Sequence, residues 1–409
     1  MFVCGYLHEG IGSYFGRSEE TGGGWIRGFI AGLQEAGGTE LYYAAFEKAD
    51  EDRIETHLVD GIHYALILYK NKEMIRQYMD NYPCDVYHLF GIENEYVYDL
   101  IPYLDMHKTL VYIQGIIDVY KHYYYADYDR FHKISPLFRL YMYLRKKEFE
   151  KRQGPEQTIM REARYTAGRT DWDEAYVRIS HSQARYFHLN ESLRDAFYTA
   201  EPWTVSGMDP HTVFVTQANY SIKAPHMIVE IIRLLKKKYP DVKCYIGGEN
   251  LMKADSAATK LGISYASYIQ KLIREYKLEE SIIFLGSLKA DEVVHQLQKA
   301  NVFLSASSIE NSPNSLQEAM LAGTPSISSF VGGVPTLVQD ETQCMLYPFN
   351  DPEQAAFKIS RMFDDPELCA RMSQAGRERI RELTDIGNNG RTLKKIYETI
   401  MNDTKEDRR

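Results

Sequence analysis

Short apolar runs alternate with longer stretches of helical period along almost the whole chain, and few architectures accommodate that pattern. Phe2–Leu7 reads as a strand, followed by Gly22-Gly23-Gly24 and a helix from about Trp25 to Ala36. Leu41–Phe46, Ala65–Tyr69, Val86–Phe90 and Leu110–Ile113 are further strand-like runs bounded by polar residues or glycine. A second series begins near residue 211, with strand-like Val213–Thr216, Val242–Ile246, Ile282–Leu285 and Val302–Ser305. Between them lie helical stretches at Ile222–Lys238 and Tyr265–Tyr276; Ile228, Ile231, Ile232 and Leu235 fall on one stripe of the first. Strand–helix alternation predicts a parallel sheet with helices on both faces. Glu201–Pro210, rich in proline, glycine and polar residues, reads as a linker. The expected fold is therefore α/β, with two doubly wound, Rossmann-like domains at 1–200 and 201–385 facing across a cleft. A helix over about 386–403 is expected to pack back on the first domain. Ligands of such sheets lie outside the carboxyl ends of the strands.

Composition narrows the function classes. Against 48 Lys and Arg stand 57 Asp and Glu, a net charge of −9, which disfavours a general nucleic-acid binder. The five cysteines are widely spaced and form no CxxC pair, so neither a disulfide framework nor a cysteine zinc site is indicated. Met1–Leu7 has no basic start and no small-residue cleavage site, so no signal peptide is expected. The longest apolar run, Tyr64–Tyr69, is far short of the ~20 residues of a spanning helix. A cytoplasmic protein is expected, touching a membrane at most from its surface.

The most informative segment runs from Ser305 to Pro325. It follows the strand Val302–Ser305 and opens a helix for which Ser312 is a good N-cap and Pro313 a good first residue. The helix should pass through Leu316, Ala319 and Met320 and end at Gly323, with Pro325 beyond. The N–H groups at such a start form an anion site suited to phosphate. Glu310 precedes the helix and Glu318 lies inside it, with seven residues between them. Carboxylates only accept hydrogen bonds, so this pair could hold hydroxyls on either side of a phosphate, as in a nucleotide sugar. A surface helix could carry two glutamates by chance, but strand, cap, glycine and both prolines stand in register here.

This segment resembles the signature of the retaining glycosyltransferases of family four, the group-one glycosyl transferases. The match is Glu310, Glu318 and Gly323-Thr324-Pro325. The resemblance implies the GT-B fold and a nucleotide-sugar donor, UDP- or GDP-linked. It further implies that Glu310 and Asn311 meet the donor sugar, Glu318 the ribose, and the Asn314 and Ser315 amides the diphosphate. It places Gly22, Gly23 and Gly24 beside the diphosphate, Leu285 and Gly286 against the base, and Gly332-Gly333 in a loop facing the ligand. Lys223 matches a family lysine that neutralises the diphosphate. Two departures stand out: Ala218 occupies the place of a usual arginine, and Gln114 the place of a usual histidine. Arg169 or Lys121 could supply the missing cation. A glutamine can bond a hydroxyl but cannot take up a proton, so His88 and His122 become candidates near the acceptor, along with Arg169. The expected catalytic set is Glu310, Lys223, Gln114 and His122, with same-face attack assisted by the leaving phosphate.

Gly168–Ala175 and Tyr186–Glu191 resemble segments of a family subset linked to surface-polysaccharide synthesis. Asp171-Trp172-Asp173 and Asp127-Tyr128-Asp129 mimic a metal-binding DxD, but no metal or other cofactor is expected, because this fold holds phosphate with amides and cations. Arg130–Arg152 carries eight Lys and Arg against two Glu, a local +6. Leu137, Leu140, Tyr141 and Leu144 share one face of a helix there, which reads as a surface for an anionic membrane or a lipid diphosphate. The expected acceptor is a glycan or lipid-linked glycan. The alternatives are a nucleotide-sugar epimerase of the same fold and a non-catalytic nucleotide-sugar-binding scaffold.

Overall fold

The computed structural model describes residues 1–8, 10–17, 23–130 and 133–407. The chain divides into two compact units. The first comprises Met1–Asp118, Glu150–Ser192 and Leu383–Arg409; the second comprises Val119–Phe149 and Leu193–Glu382.

The first unit is built on eight strands: β1 (Phe2–Cys4), β2 (Leu41–Lys48), β3 (Arg53–Val59), β4 (Ile62–Tyr69), β5 (Tyr87–Leu89), β6 (Thr109–Tyr112), β7 (Tyr165–Gly168) and β8 (Arg185–His188). Their order is β3-β4-β2-β1-β5-β6-β7-β8. All pairings are parallel except β3 with β4. The apolar-run criterion overlooked β3, because Ile54, Leu58 and Val59 are interspersed with Arg53, Glu55, Thr56 and His57 and none of the seven is buried. The signal was nonetheless present: Asp60-Gly61 joins the two strands with positive φ at both residues, as a two-residue hairpin requires. The core is aromatic, with Trp25, Phe29, Phe90 and Tyr112 in mutual ring contact. The helices Gly24–Ala36 and Ile386–Asp407 pack so closely that a Cβ at Gly32 or Gly390 would strike the other helix's backbone.

The second unit carries β9 (Thr212–Val215), β10 (Lys243–Gly247), β11 (Ile282–Gly286), β12 (Val302–Ser305), β13 (Ser326–Ser329) and β14 (Met345–Tyr347). Their order is β11-β10-β9-β12-β13-β14, all parallel. The helix expected from Ile222 runs over Pro225–Leu235, because Ser221–Lys223 forms a 3-10 turn and Ala224 takes a left-handed φ of 48°. Its stripe of Ile228, Ile231, Ile232 and Leu235 is buried.

Residues 119–149, expected inside a first domain of 1–200, fold with the second unit. Three contacts tie them there. His226 Nε2 lies 2.7 Å from the Ala126 carbonyl, the Tyr268 hydroxyl donates to the Tyr128 carbonyl at 2.7 Å, and Ser308 Oγ donates to the Tyr123 carbonyl at 3.0 Å. Burial lowers the His226 pKa to about 4, against the bond to Ala126, so its ring is neutral at pH 7. In the helix Pro136–Glu150, Phe138 and Met142 are buried. Leu137, Leu140 and Leu144, from the apolar face read in the sequence, are 62%, 53% and 57% exposed. Among the described residues no helix is long and apolar enough to cross a membrane.

Candidate active site

In the second sheet the chain moves from β9 outward to β10 and β11 on one side, and through β12 to β13 and β14 on the other. The direction reverses between β9 and β12, where diverging loops open a crevice. The loop after β9 carries Lys223 and the loop after β12 carries Glu310. Lys223 Nζ donates to Glu310 Oε1, and Ser307 Oγ donates to the same oxygen at 2.6 Å. Burial disfavours the Lys223 ammonium, but the Glu310 carboxylate outweighs it and holds the pKa above the ordinary lysine value. Lys223 is therefore charged at neutral pH. The Gly333 N–H donates to the Glu310 carbonyl at 3.0 Å. Gly332 has a φ of 50°, and a Cβ there would run into that same carbonyl oxygen. The glycine pair thus seats Glu310 through its backbone.

The helix Asn314–Leu321 starts one residue later than expected. Pro313 is the extended N-cap, and Ser312 instead accepts a bond from Gln317 Nε2 at 3.1 Å. The first intrahelical bond runs from the Leu316 N–H to the Pro313 carbonyl at 3.2 Å, so the Asn314 and Ser315 amides lead the helix. Asn311 is buried just before it. Glu318, buried in the helix, accepts a two-pronged ion pair from Arg194 at 2.7 and 2.8 Å. Sequence reasoning missed Arg194, which stands 124 positions from Glu318 with no local spacing to betray it. A carboxylate offers about four lone-pair sites, so the bidentate pair with Arg194 does not by itself exhaust Glu318 as an acceptor. Leu285 and Gly286 end β11; Gly286 has a φ of 85° and its carbonyl accepts from the Gly248 N–H at 2.8 Å.

In the first unit Gly22 lies outside the described residues. Gly23, at a φ of 73°, is the N-cap of the helix that Gly24 begins. A Cβ at Gly23 would stand 3.0 Å from the Tyr6 ring and 3.3 Å from His8 Cβ, so this position combines a left-handed backbone with close approach. His8, not singled out in the sequence, is buried with Nε2 3.3 Å from the Tyr64 hydroxyl.

Two sequence candidates, His88 and Arg169, are held by buried partners within the first unit. His88 lies within β5, fully buried, with Nδ1 2.9 Å from the Tyr397 hydroxyl and its ring 4.2 Å from that of Phe90. Burial pushes its pKa well below the ordinary histidine value, so it is a neutral core residue and not an acceptor contact. Arg169, offered as an acceptor contact or spare cation, is buried in a 2.5 Å ion pair with Glu191. Its Nη2 donates to the Gln114 carbonyl at 3.1 Å, so it fixes the Gln114 backbone from within the first unit. His122 is exposed in a turn closed by its own N–H to Val119 at 3.1 Å, and with Lys121 it belongs to the second unit. Gln114 and His122, both expected in the first domain, thus fall in different units.

The DxD-like segments have structural partners. Asp173 forms a capping box with Thr170 and accepts from the Tyr186 hydroxyl at 2.6 Å; Asp129 pairs with Arg139 at 3.9 Å. Among the described residues no group of three or more His, Cys, Asp or Glu is placed to hold a metal ion.

Comparison with known proteins agrees with this geometry. Residues 200–379 match the family described as glycosyl transferases group 1. The chain is 29% identical over 182 residues to a Bacillus subtilis protein named as a glycosyltransferase, YtcC, covering 44% of this chain and 43% of that protein. It is 31% identical over 195 residues to a Salmonella typhimurium protein named as a colanic acid biosynthesis glycosyltransferase, WcaL, covering 44% and 47%. The match thus spans less than half the length of these curated relatives. The crystal structure of Anabaena HepE in complex with UDP superposes with a TM-score of 0.63 over 97% of this chain and 99% of that one, at 12% identity. The fold is GT-B: two α/β units on mostly parallel sheets.

Proposed function

We propose that the protein is a retaining glycosyltransferase that moves a sugar from a UDP- or GDP-sugar to a glycan or lipid-linked glycan in polysaccharide biosynthesis. The observation that carries this reading is the Lys223–Glu310 pair at the β9/β12 reversal, beside the leading amides of the helix Asn314–Leu321. The group 1 match over residues 200–379, the WcaL relative and the UDP-bound HepE neighbour support it.

In this mechanism Glu310 accepts hydrogen bonds from donor-sugar hydroxyls, and Glu318 accepts them from the ribose. Lys223 and the Asn314 and Ser315 amides face the diphosphate, whose negative charge grows as the bond to the anomeric carbon breaks. The acceptor oxygen forms the new bond to that carbon on the same face. Its proton passes to the departing phosphate oxygen, so no protein base is needed. No metal takes part. The exposed leucines and the basic residues of the helix Pro136–Glu150 favour contact with the cytoplasmic face of a membrane, where a lipid-linked acceptor would reside.

The test begins with thermal shifts against UDP, GDP, ADP and their sugars, since a ligand of the native state raises its melting point. With the donor in hand, Glu310→Ala should retain the wild-type fold and lose roughly 10²-fold or more in transfer. Turnover within a few-fold of wild type would remove Glu310 from the site.

A further inference from the structure

The segment Glu201–Pro210, which reads in the sequence as a linker, is pinned to the second unit by its tryptophan. Trp203 is buried; its backbone N–H donates to the Ala322 carbonyl at 2.9 Å and its Nε1 to the Ala300 carbonyl at 2.7 Å. Those carbonyls precede β13 and β12. Because all strands of this sheet run parallel, the pinned segment lies at their amino ends, opposite the crevice that holds Lys223 and Glu310. The segment and the helix Pro366–Leu383 together line a cavity of about 480 Å³, within the range of small-ligand sites.

One wall is apolar and the other cationic. Pro202, Trp203 and Val205 supply the first, and Val205 is 38% exposed. Arg377 and Arg381 supply the second, four positions apart on one face of the helix. Like charges at that spacing repel. Arg377 is half-buried; its Nε donates to the Leu321 carbonyl at 3.1 Å and its Nη2 to the Ala200 carbonyl at 3.3 Å. These bonds hold the guanidinium in place and leave three of its five N–H donors. Among the described residues no carboxylate forms an ion pair with either arginine. Glu378 instead accepts from Gln374 Nε2 at 3.0 Å, and Glu201 bears on Arg377 through its charge. Burial first, and the like charge of Arg381 second, lower the Arg377 pKa from the ordinary arginine value, with Glu201 opposing. An anion between the two guanidiniums would relieve their repulsion and use the remaining donors.

We propose that this cavity is a second ligand site, taking a small organic anion whose carboxylate or phosphate bridges Arg377 and Arg381 and whose apolar body lies against Pro202 and Val205. A bare inorganic ion would leave the apolar wall wet. A neutral apolar molecule would leave the guanidiniums without a counter-charge. The proposal is independent of the transfer reading, because no residue of this cavity belongs to the crevice of Lys223 and Glu310.

Ligand titrations of the full chain by NMR test it, with phenyl phosphate and benzoate as probes beside inorganic phosphate and benzyl alcohol. Phenyl phosphate or benzoate should bind roughly tenfold or more tightly than either control, and the stronger of the two tells a phosphate ligand from a carboxylate. Rising salt should weaken that binding. Arg381→Gln, at an exposed position, should weaken the bound probe by roughly tenfold, the scale of one lost charge-assisted hydrogen bond. Val205→Glu, which sets a carboxylate on the apolar wall, should weaken it as well. Lys223→Gln, at the other end of the sheet, should leave it unchanged. Binding of neither organic anion, equal binding of inorganic phosphate or benzyl alcohol, unchanged affinity in Arg381→Gln and Val205→Glu, or loss of binding in Lys223→Gln would each overturn the proposal.

Discussion

Single residues show where sequence spacing was sufficient and where it was not. Glu310 and Glu318 are legible because one strand, one loop and one helix hold them, all within 20 consecutive positions of the chain. Arg194 is not legible, since its meeting with Glu318 depends on how a distant segment folds back. The geometry sharpens what Glu318→Ala should do. It removes a buried carboxylate that accepts two bonds from Arg194 and, in the proposed function, the ribose hydroxyls. Loss of hydrogen bonds to a charged group costs about 1.5–3 kcal/mol, or roughly ten- to a hundredfold in nucleotide affinity. Nucleoside monophosphate should weaken along with the whole donor, because both carry the ribose. Isothermal calorimetry with both ligands is the measurement, and unchanged affinities would refute the ribose assignment.

At the scale of elements, the helix Pro136–Glu150 presents leucines to solvent beside a basic run. Reversing Arg145, Lys146 and Lys147 to Glu should abolish most binding to anionic vesicles, since each basic residue near such a surface is worth about 1 kcal/mol. Rising salt should weaken wild-type binding in the same co-sedimentation assay. Equal binding of the wild type to neutral vesicles, or binding to neither kind, would count against the membrane role. Nucleotide affinity belongs in the same experiment, because this helix folds with the unit that carries Glu310. A second element is controlled by one buried acid. Glu156 accepts from the Ile117 N–H at 2.6 Å and the Asp118 N–H at 3.0 Å, at the start of the short helix after Gln114. Burial raises its pKa to about 7, against those two bonds and with help from the Glu93 and Asp118 carboxylates. Between about pH 4.5 and 7 the native state therefore holds a proton that the unfolded chain has released, so stability falls as pH rises through that window. Urea midpoints should decline across it by an amount equivalent to roughly 2–3 kcal/mol. Glu156→Gln should flatten that part of the profile, and parallel profiles would show that another group is responsible.

For the whole molecule, the proposed chemistry relies on Lys223 and helix amides for positive charge, and this makes metal dependence a sharp test. Transfer should persist in EDTA. Abolition by the chelator with recovery on adding manganese or magnesium would contradict the proposal.

The sequence by itself determined the two doubly wound sheets and the motif from Ser305 to Pro325. These rest on local regularities, namely alternation of apolar runs with helical stripes and the caps that end a helix. Four things were decided only in three dimensions. Residues 119–149 fold with the second unit, because backbone carbonyls of Tyr123, Ala126 and Tyr128 accept bonds from Ser308, His226 and Tyr268. His88 and Arg169 are withdrawn into core contacts with Tyr397 and Glu191. Gly332 is required beneath the Glu310 carbonyl, and Arg194 comes to Glu318. The physical reason is common to all four. A carbonyl or a close approach leaves no mark on residue type, and a histidine or arginine reads the same whether it faces a substrate or a buried partner.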